Sequence, residues 1–256
     1  MIDFHSHILP AIDDGSKSIE DSIQILREAR EAGFSKIIST SHYLEGYYEV
    51  EEEERKRLIQ ELRNEDIGLE LYVGSEIYIT ENIIKLLEER KATSINNTNY
   101  VLFEFPLNSE PLNMYDIIYD MLEYKLVPIL AHPERYSFVQ KNPNLIYDLI
   151  QKGVLMQSNY GSIIGLYGDK AQIIVKKLLE NNMVHFLGRD VHKKNSIYPK
   201  VQIALKEIEN IVGREKLEEL TTINPAYVLE NKSIDIDEPR EIKLSLKEKM
   251  KINFKK

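Results

Sequence analysis

The sequence holds no cysteine among its 256 residues. That excludes a disulfide framework, a thiolate-bound metal and a cysteine nucleophile, so any metal here needs nitrogen and oxygen donors. Positive charge is in deficit. Lysine and arginine number 33 against 42 aspartates and glutamates, and the net charge of -9 counts against non-specific attraction to nucleic-acid phosphates. No stretch approaches the roughly 18 apolar residues of a membrane span, and Met1-Ile2-Asp3-Phe4-His5 lacks a basic region followed by an apolar run. The expectation is a cytoplasmic chain with no membrane insertion and no nucleic-acid partner. No repeat of fixed length and no low-complexity linker interrupts it.

What is present suits a folded, soluble chain, with 43% hydrophobic and 29% charged residues. Seven runs rich in apolar and β-branched residues recur at 1–5, 35–42, 68–76, 100–105, 126–132, 153–159 and 183–190, each leading into a segment with helical spacing. Ile19, Ile23, Leu26 and Ala29 fall on one helical face, as do Ile173, Ile174 and Leu178, and Ser16 or Ser18 offers an N-cap for the first of these helices. Strands alternating with helices predict an α/β fold with a parallel sheet. The charge run EVEEEERKRLIQELRNE, at 49–65, reads as a solvated helix laced with glutamate-to-lysine and glutamate-to-arginine pairs. From Ile234 the pattern changes: Pro239 breaks it and lysines accumulate. Residues 1–233 are therefore read as a single domain, and 234–256 as a packed arm leading into a mobile basic tail.

The polar residues of the seven runs sit at their ends. His5 and His7 close the first run, His42 the second and Glu76 the third. Glu104 stands near the end of the fourth, His132 ends the fifth, and Asp190 and His192 follow the seventh. In a barrel of parallel strands those ends converge on one face, where such folds build their active sites. Five of the six histidines share this placement, and only His185, beside Val184 and Phe186, reads as a core residue. Alternate residues of an extended segment point to one side, so His5-Ser6-His7 and Asp190-Val191-His192 can each grip an ion. Nitrogen and carboxylate donors without sulfur suit Mn²⁺, Fe²⁺ or Zn²⁺, and a carboxylate such as Glu76 can bridge two of them.

As a set, MIDFHSHILPAIDDG, GSEIYI, VLFEFP, AHPERY and NPAYVLENK resemble the polymerase and histidinol phosphatase (PHP) superfamily. Within it they are similar to the manganese-dependent protein-tyrosine phosphatases of bacterial capsule and exopolysaccharide loci, the CpsB/CapC type. The resemblance spans nearly the whole chain and implies a distorted (β/α)7 barrel holding three divalent ions. By position it implies His5, His7, Glu76 and Asp190 for one ion, Glu76, Glu104 and His132 for a second, and Asp14, His42 and His192 for a third. Asp14 is preferred to Asp13 because the family's carboxylate precedes a glycine, here Gly15. Arg135 matches a phosphate-binding arginine, whose planar fork suits a tetrahedral phosphate. Arg135, Glu104 and His42 are thus the expected catalytic residues. This chain also departs from its relatives. It has TSHY where they usually read TPHH, and Ile197 where an arginine often follows the last histidine. Arg189, Lys193, Lys194 or Lys200 is the expected substitute.

The implied chemistry is metal-assisted phosphomonoester hydrolysis, with a metal-activated water attacking phosphorus in line. The implied substrate is a phosphotyrosine protein, notably a membrane-associated tyrosine kinase. The alternatives are a small-molecule phosphatase such as a histidinol phosphatase, a nuclease of the same fold, or a metal-binding protein that recognises phosphotyrosine without cleaving it. The sequence leaves the oligomeric state open.

Overall fold

A computed structural model describes residues 1–193 and 197–254. Among them are nine short strands: β1 Ile2–Ser6, β2 Lys36–Ser39, β3 His42–Tyr43, β4 Glu70–Val73, β5 Glu76–Tyr78, β6 Tyr100–Glu104, β7 Val127–Ala131, β8 Leu155–Asn159 and β9 Phe186–Gly188. Every ladder is parallel, in the orders β1-β2-β4 and β3-β5-β6-β7-β8-β9. The seven expected runs become nine strands because two of them break. The 35–42 run breaks at Thr40-Ser41 and the 68–76 run at Gly74-Ser75. Hydroxyl side chains take over the backbone bonds there: Thr40 Oγ1 accepts from Ser6 N, and Ser75 Oγ from Thr93 N. The sheet still curls into a parallel α/β barrel, closed where Val191 O accepts from His7 N and His5 O from Asp190 N.

Period-two alternation sorts the strand side chains into two apolar layers. Val101, Phe103, Leu130, Met156 and Leu187 face the surrounding helices. Their neighbours Leu102, Ile129, Leu155 and Phe186 join Phe4 in a smaller cluster, where the Phe4 and Phe186 rings stack at 4.2 Å. Each such side chain contributes about 1.5–3 kcal/mol on burial. The helix Ile19–Glu31 buries Ile25, Leu26 and Ala29, and Ser18 caps it by accepting from Asp21 N.

Two features of the sequence reading need correction. The helix Glu52–Arg63 carries the expected surface pairs, Lys56 with Glu52 and Arg57 with Glu54 and Glu61. Yet Arg55 is fully buried, and donates to the carbonyls of Ser41, His42 and Val50. The C-terminal segment, in turn, is helical at Leu246–Phe254 rather than a mobile tail through its described length. Ile242 and Ile252 are buried, Asn144 Oδ1 accepts from Ile242 N at 2.7 Å, and Lys177 pairs with Glu248.

Candidate metal centre

The strand C-termini deliver the ligand-type side chains to one cleft. In β1 the register slips, since Asp3 pairs with Ile37 but Ser6 with Ser39. This bulge re-aims the strand, so Asp3 points outward while His5, two residues on, faces the cleft. Two glycines let the histidines seat. A Cβ on Gly188 would lie 2.5 Å from His5 Cβ, and one on Gly15 2.5 Å from His7 Cβ, so no larger residue fits either place. His132 and Asp190 have φ of 34° and 50°, left-handed values that cost a non-glycine residue about 1–3 kcal/mol. Closing bonds hold them there, from Arg135 N to His132 O and from Asp190 N to His5 O.

His5, His7, Glu76 and Asp190 converge, all buried, as one set of donors. A second set is His42, Glu76 and Glu104, and a third is His7, Asp14, His42 and His192. His132 stands beside the second set, with Nε2 2.8 Å from Glu76 Oε1 and 3.8 Å from Glu104 Oε2. Glu76 Oε2 provides the test of fit for a cation. It is buried, accepts no hydrogen bond, and lies 3.2, 3.3 and 3.1 Å from His5 Nε2, His7 Nε2 and His42 Nδ1. His5 Nε2 and His7 Nε2 themselves face each other at 3.1 Å. Donor atoms held at about 2.1 Å by one ion are spaced about 3.0–3.4 Å apart. The residues therefore fit divalent ions.

The groups around these donors fix their orientation. His7 Nδ1 bonds Asp13 Oδ2 at 2.8 Å, and the same carboxylate accepts from His42 N and Gly15 N. His5 Nδ1 donates to Gln157 Oε1 at 2.7 Å. Partners of this kind fix which ring nitrogen is free for a metal. Asp190 divides its oxygens: Oδ2 accepts from Asn159 Nδ2 and Arg135 Nη1, while Oδ1 lies 3.3 Å from His192 Nδ1.

Charge in the cluster is mutually sustained. Burial alone would lower His5, but the Glu76 carboxylate overrides it and pushes the imidazole up to about 9. His42 is likewise pushed against its burial, to about 10, by Glu76 and Glu104. Glu76 is held well below the usual carboxylate range, because His5 and His42 outweigh its burial. Asp14 is lowered first by its bond from His192. Arg135 is raised in spite of burial by the Asp190 carboxylate.

Several sequence-predicted residues lie elsewhere. Arg189 does not face the cleft. Its guanidinium is buried on the outer side of β9, pairs with Asp3 and packs on Phe34 and Tyr198. The expectation that it binds phosphate is thereby corrected: Asp3 is the anion it needs. Lys193 is exposed just beyond His192, Lys200 is exposed at the start of the helix Val201–Val212, and Lys194 lies outside the described residues. Ile197 is buried in the core. Among the tyrosines, Tyr43 is core, Tyr48 stacks on His42 at 5.8 Å and Tyr47 is exposed. Sequence reasoning gave no role to Gln157, Asn159 or Arg55, and left Asp13 as a rival ligand. The signal for Gln157 and Asn159 was their position at a strand end. For Arg55 there was none.

The barrel and its strand-end donors define a metallohydrolase-like α/β architecture. Residues 1–230 match the model of the capsular polysaccharide synthesis family CpsB/CapC, and the chain belongs to that family. It is 36% identical to the tyrosine-protein phosphatase YwqE of Bacillus subtilis, over 95% of this chain and 97% of that one. It is 31% identical to the tyrosine-protein phosphatase CpsB of Streptococcus pneumoniae, over 90% and 98%. Among solved structures, a study of YwqE and CpsB describes them as unique metal-dependent tyrosine phosphatases; it matches with a TM-score of 0.87 and 35% identity, over 95% of this chain and 100% of that one. The histidinol phosphate phosphatase of Lactococcus lactis, 14% identical with a TM-score of 0.57, shares the fold, over 86% of this chain and 94% of that one.

Proposed function

We propose that this chain is a metal-dependent protein-tyrosine phosphatase holding three divalent ions, with Mn²⁺ the expected species and Fe²⁺ or Zn²⁺ suited to the same donors. The observation that carries this reading is the orphaned, buried Glu76 Oε2 among three ring nitrogens, with Arg135 beside the same cluster on Asp190. His5, His7, Glu76 and Asp190 would hold one ion, Glu76, Glu104 and His132 the second, and Asp14, His42 and His192 the third. When bound, such ions supply Lewis acidity and lower the pKa of water.

The chain's own residues do the rest. Arg135 sits 4.5 Å over the Tyr167 ring and is anchored through Nη1 to Asp190, which orients its remaining N–H donors as a fork for phosphoryl oxygens. Glu104, a donor to the second ion, and His42, a donor to the third, have side chains 14% and 15% exposed and can meet substrate. Asp13 and Gln157 hold the rings of His7 and His5 in register. A tyrosine phenolate, with a free pKa near ~10, leaves with little need of a general acid.

The substrate is a phosphotyrosine protein, and the family's association with capsule synthesis supports a membrane-associated bacterial tyrosine kinase as that partner. We place its action in the cytoplasm; no helix among the described residues is long and apolar enough to cross a membrane. The test is phosphate release from a phosphotyrosine peptide, histidinol phosphate and a single-stranded oligonucleotide, each with Mn²⁺ and with a chelator. Metal-dependent release from the peptide alone is expected. A metal-loaded protein that leaves the peptide untouched sinks the reading.

A further inference from the structure

Three loops that follow strands lining the cleft carry exposed apolar side chains. After β3, which begins with His42, comes Tyr47, 80% exposed. After β6, which ends in Glu104, come Leu107 and Leu112, 39% and 103% exposed. After β8, which ends in Asn159, come Leu166 and Tyr167, 47% and 36% exposed. Large apolar groups left in water on loops around one cleft point to a contact surface.

Polar ties bind these loops to the cleft and to one another. Glu45, on the Tyr47 loop, accepts from Thr80 and Asn82 on the loop after β5. Glu81 of that loop accepts from Asn113, next to Leu112. Leu107 O accepts from Ser137 N, two residues beyond Arg135, and Tyr167 lies under the Arg135 guanidinium. The rim is thus continuous with the groups that would meet phosphate.

We infer that this rim is a docking surface for the polypeptide on either side of a phosphotyrosine, with apolar or aromatic neighbours seated on Tyr47, Leu107, Leu112 and Leu166. The inference rests on the phosphatase reading for the identity of the phosphate-bearing residue. A polypeptide carries residues on both sides of the phosphate for such a surface to hold and a small phosphomonoester carries none, so the surface favours protein substrates. Its position favours a peptide over a second copy of the chain, because a copy seated here would close the cleft against any substrate.

The test uses the metal-loaded protein and the triple variant Leu107→Ser, Leu112→Ser, Leu166→Ser, three exposed residues outside the ligand sets. The ligands are a peptide carrying a non-hydrolysable phosphonate analogue of phosphotyrosine between leucine and tyrosine neighbours, and the single amino acid analogue. Binding of the peptide is expected to weaken about tenfold in the variant, with binding of the amino acid unchanged. In turnover, KM for the matching phosphopeptide should rise about as much, with kcat and the hydrolysis of p-nitrophenyl phosphate unaffected. Equal peptide affinity in the two proteins overturns the inference, as does an equal loss for peptide and amino acid. A wild type that hydrolyses nothing, yet binds the peptide through the rim, removes the phosphatase reading and leaves the docking surface standing.

Discussion

At the scale of the residue, the decisive groups are those whose polar atoms are either doubly committed or orphaned. Asp13 is doubly committed, since its carboxylate takes the His7 ring and the His42 backbone together. Asp13→Asn keeps the shape and removes the charge. Activity and metal affinity are expected to fall about 10–100-fold, read by titration with Mn²⁺ alongside turnover, with melting temperature little changed. His185 behaves in the opposite sense. Burial pushes its imidazole down to about 3, and its Nδ1 must stay unprotonated to accept from Met156 N. Its folded pKa lies below the unfolded 6.5, so its contribution is complete above that value and is lost as pH falls toward 3, by a few kcal/mol. Denaturation midpoints across that window should decline more steeply for the wild type than for His185→Phe; parallel curves would contradict the assignment.

At the scale of the element, the strands and their ends were legible and the supports were not. Period-two runs with β-branched residues revealed each strand, and a polar residue at every run's end revealed the cleft, because parallel topology forces those ends together. Nothing local, however, marks where a run breaks, and so Thr40-Ser41 and Gly74-Ser75 were hidden. Nor does a sequence show which member of a charge run turns inward. Arg55 stands among seven consecutive charged residues from Glu51 to Arg57, and only tertiary structure selects it to grip three carbonyls. Arg189 misled for the same reason, since its counter-ion Asp3 is 186 positions away. Arg55→Met should free the carbonyls around His42 at a cost of about 2–4 kcal/mol. Calorimetry would show the lower melting temperature. Metal titration should show weakened binding at the His42 donors, and an unchanged isotherm would mean that the helix does not position them.

At the scale of the whole molecule, the donors come from six of the nine strands or the turns beyond them, so ions bound there tie the barrel together. Binding to the folded state alone adds stability by mass action, about 2.7 kcal/mol per ion at a hundredfold excess over Kd, or roughly 5–10 °C for a chain of this size. A chelator should lower the melting temperature by at least that much, and melting that ignores metal would contradict a centre built across the strands. The seam between β1 and the segment after β9 has a different kind of consequence. His5 and His7 gain Asp190, the last donor of their set, only when residues near 190 have been made, so that set stays incomplete through most of translation. Contacts of such separation form late and slowly. Completion of that set is therefore the closing event of biosynthesis, and a ribosome stalled before Gly188 releases a chain that holds Glu76, Glu104 and His132 but lacks Asp190, His192 and the closing seam.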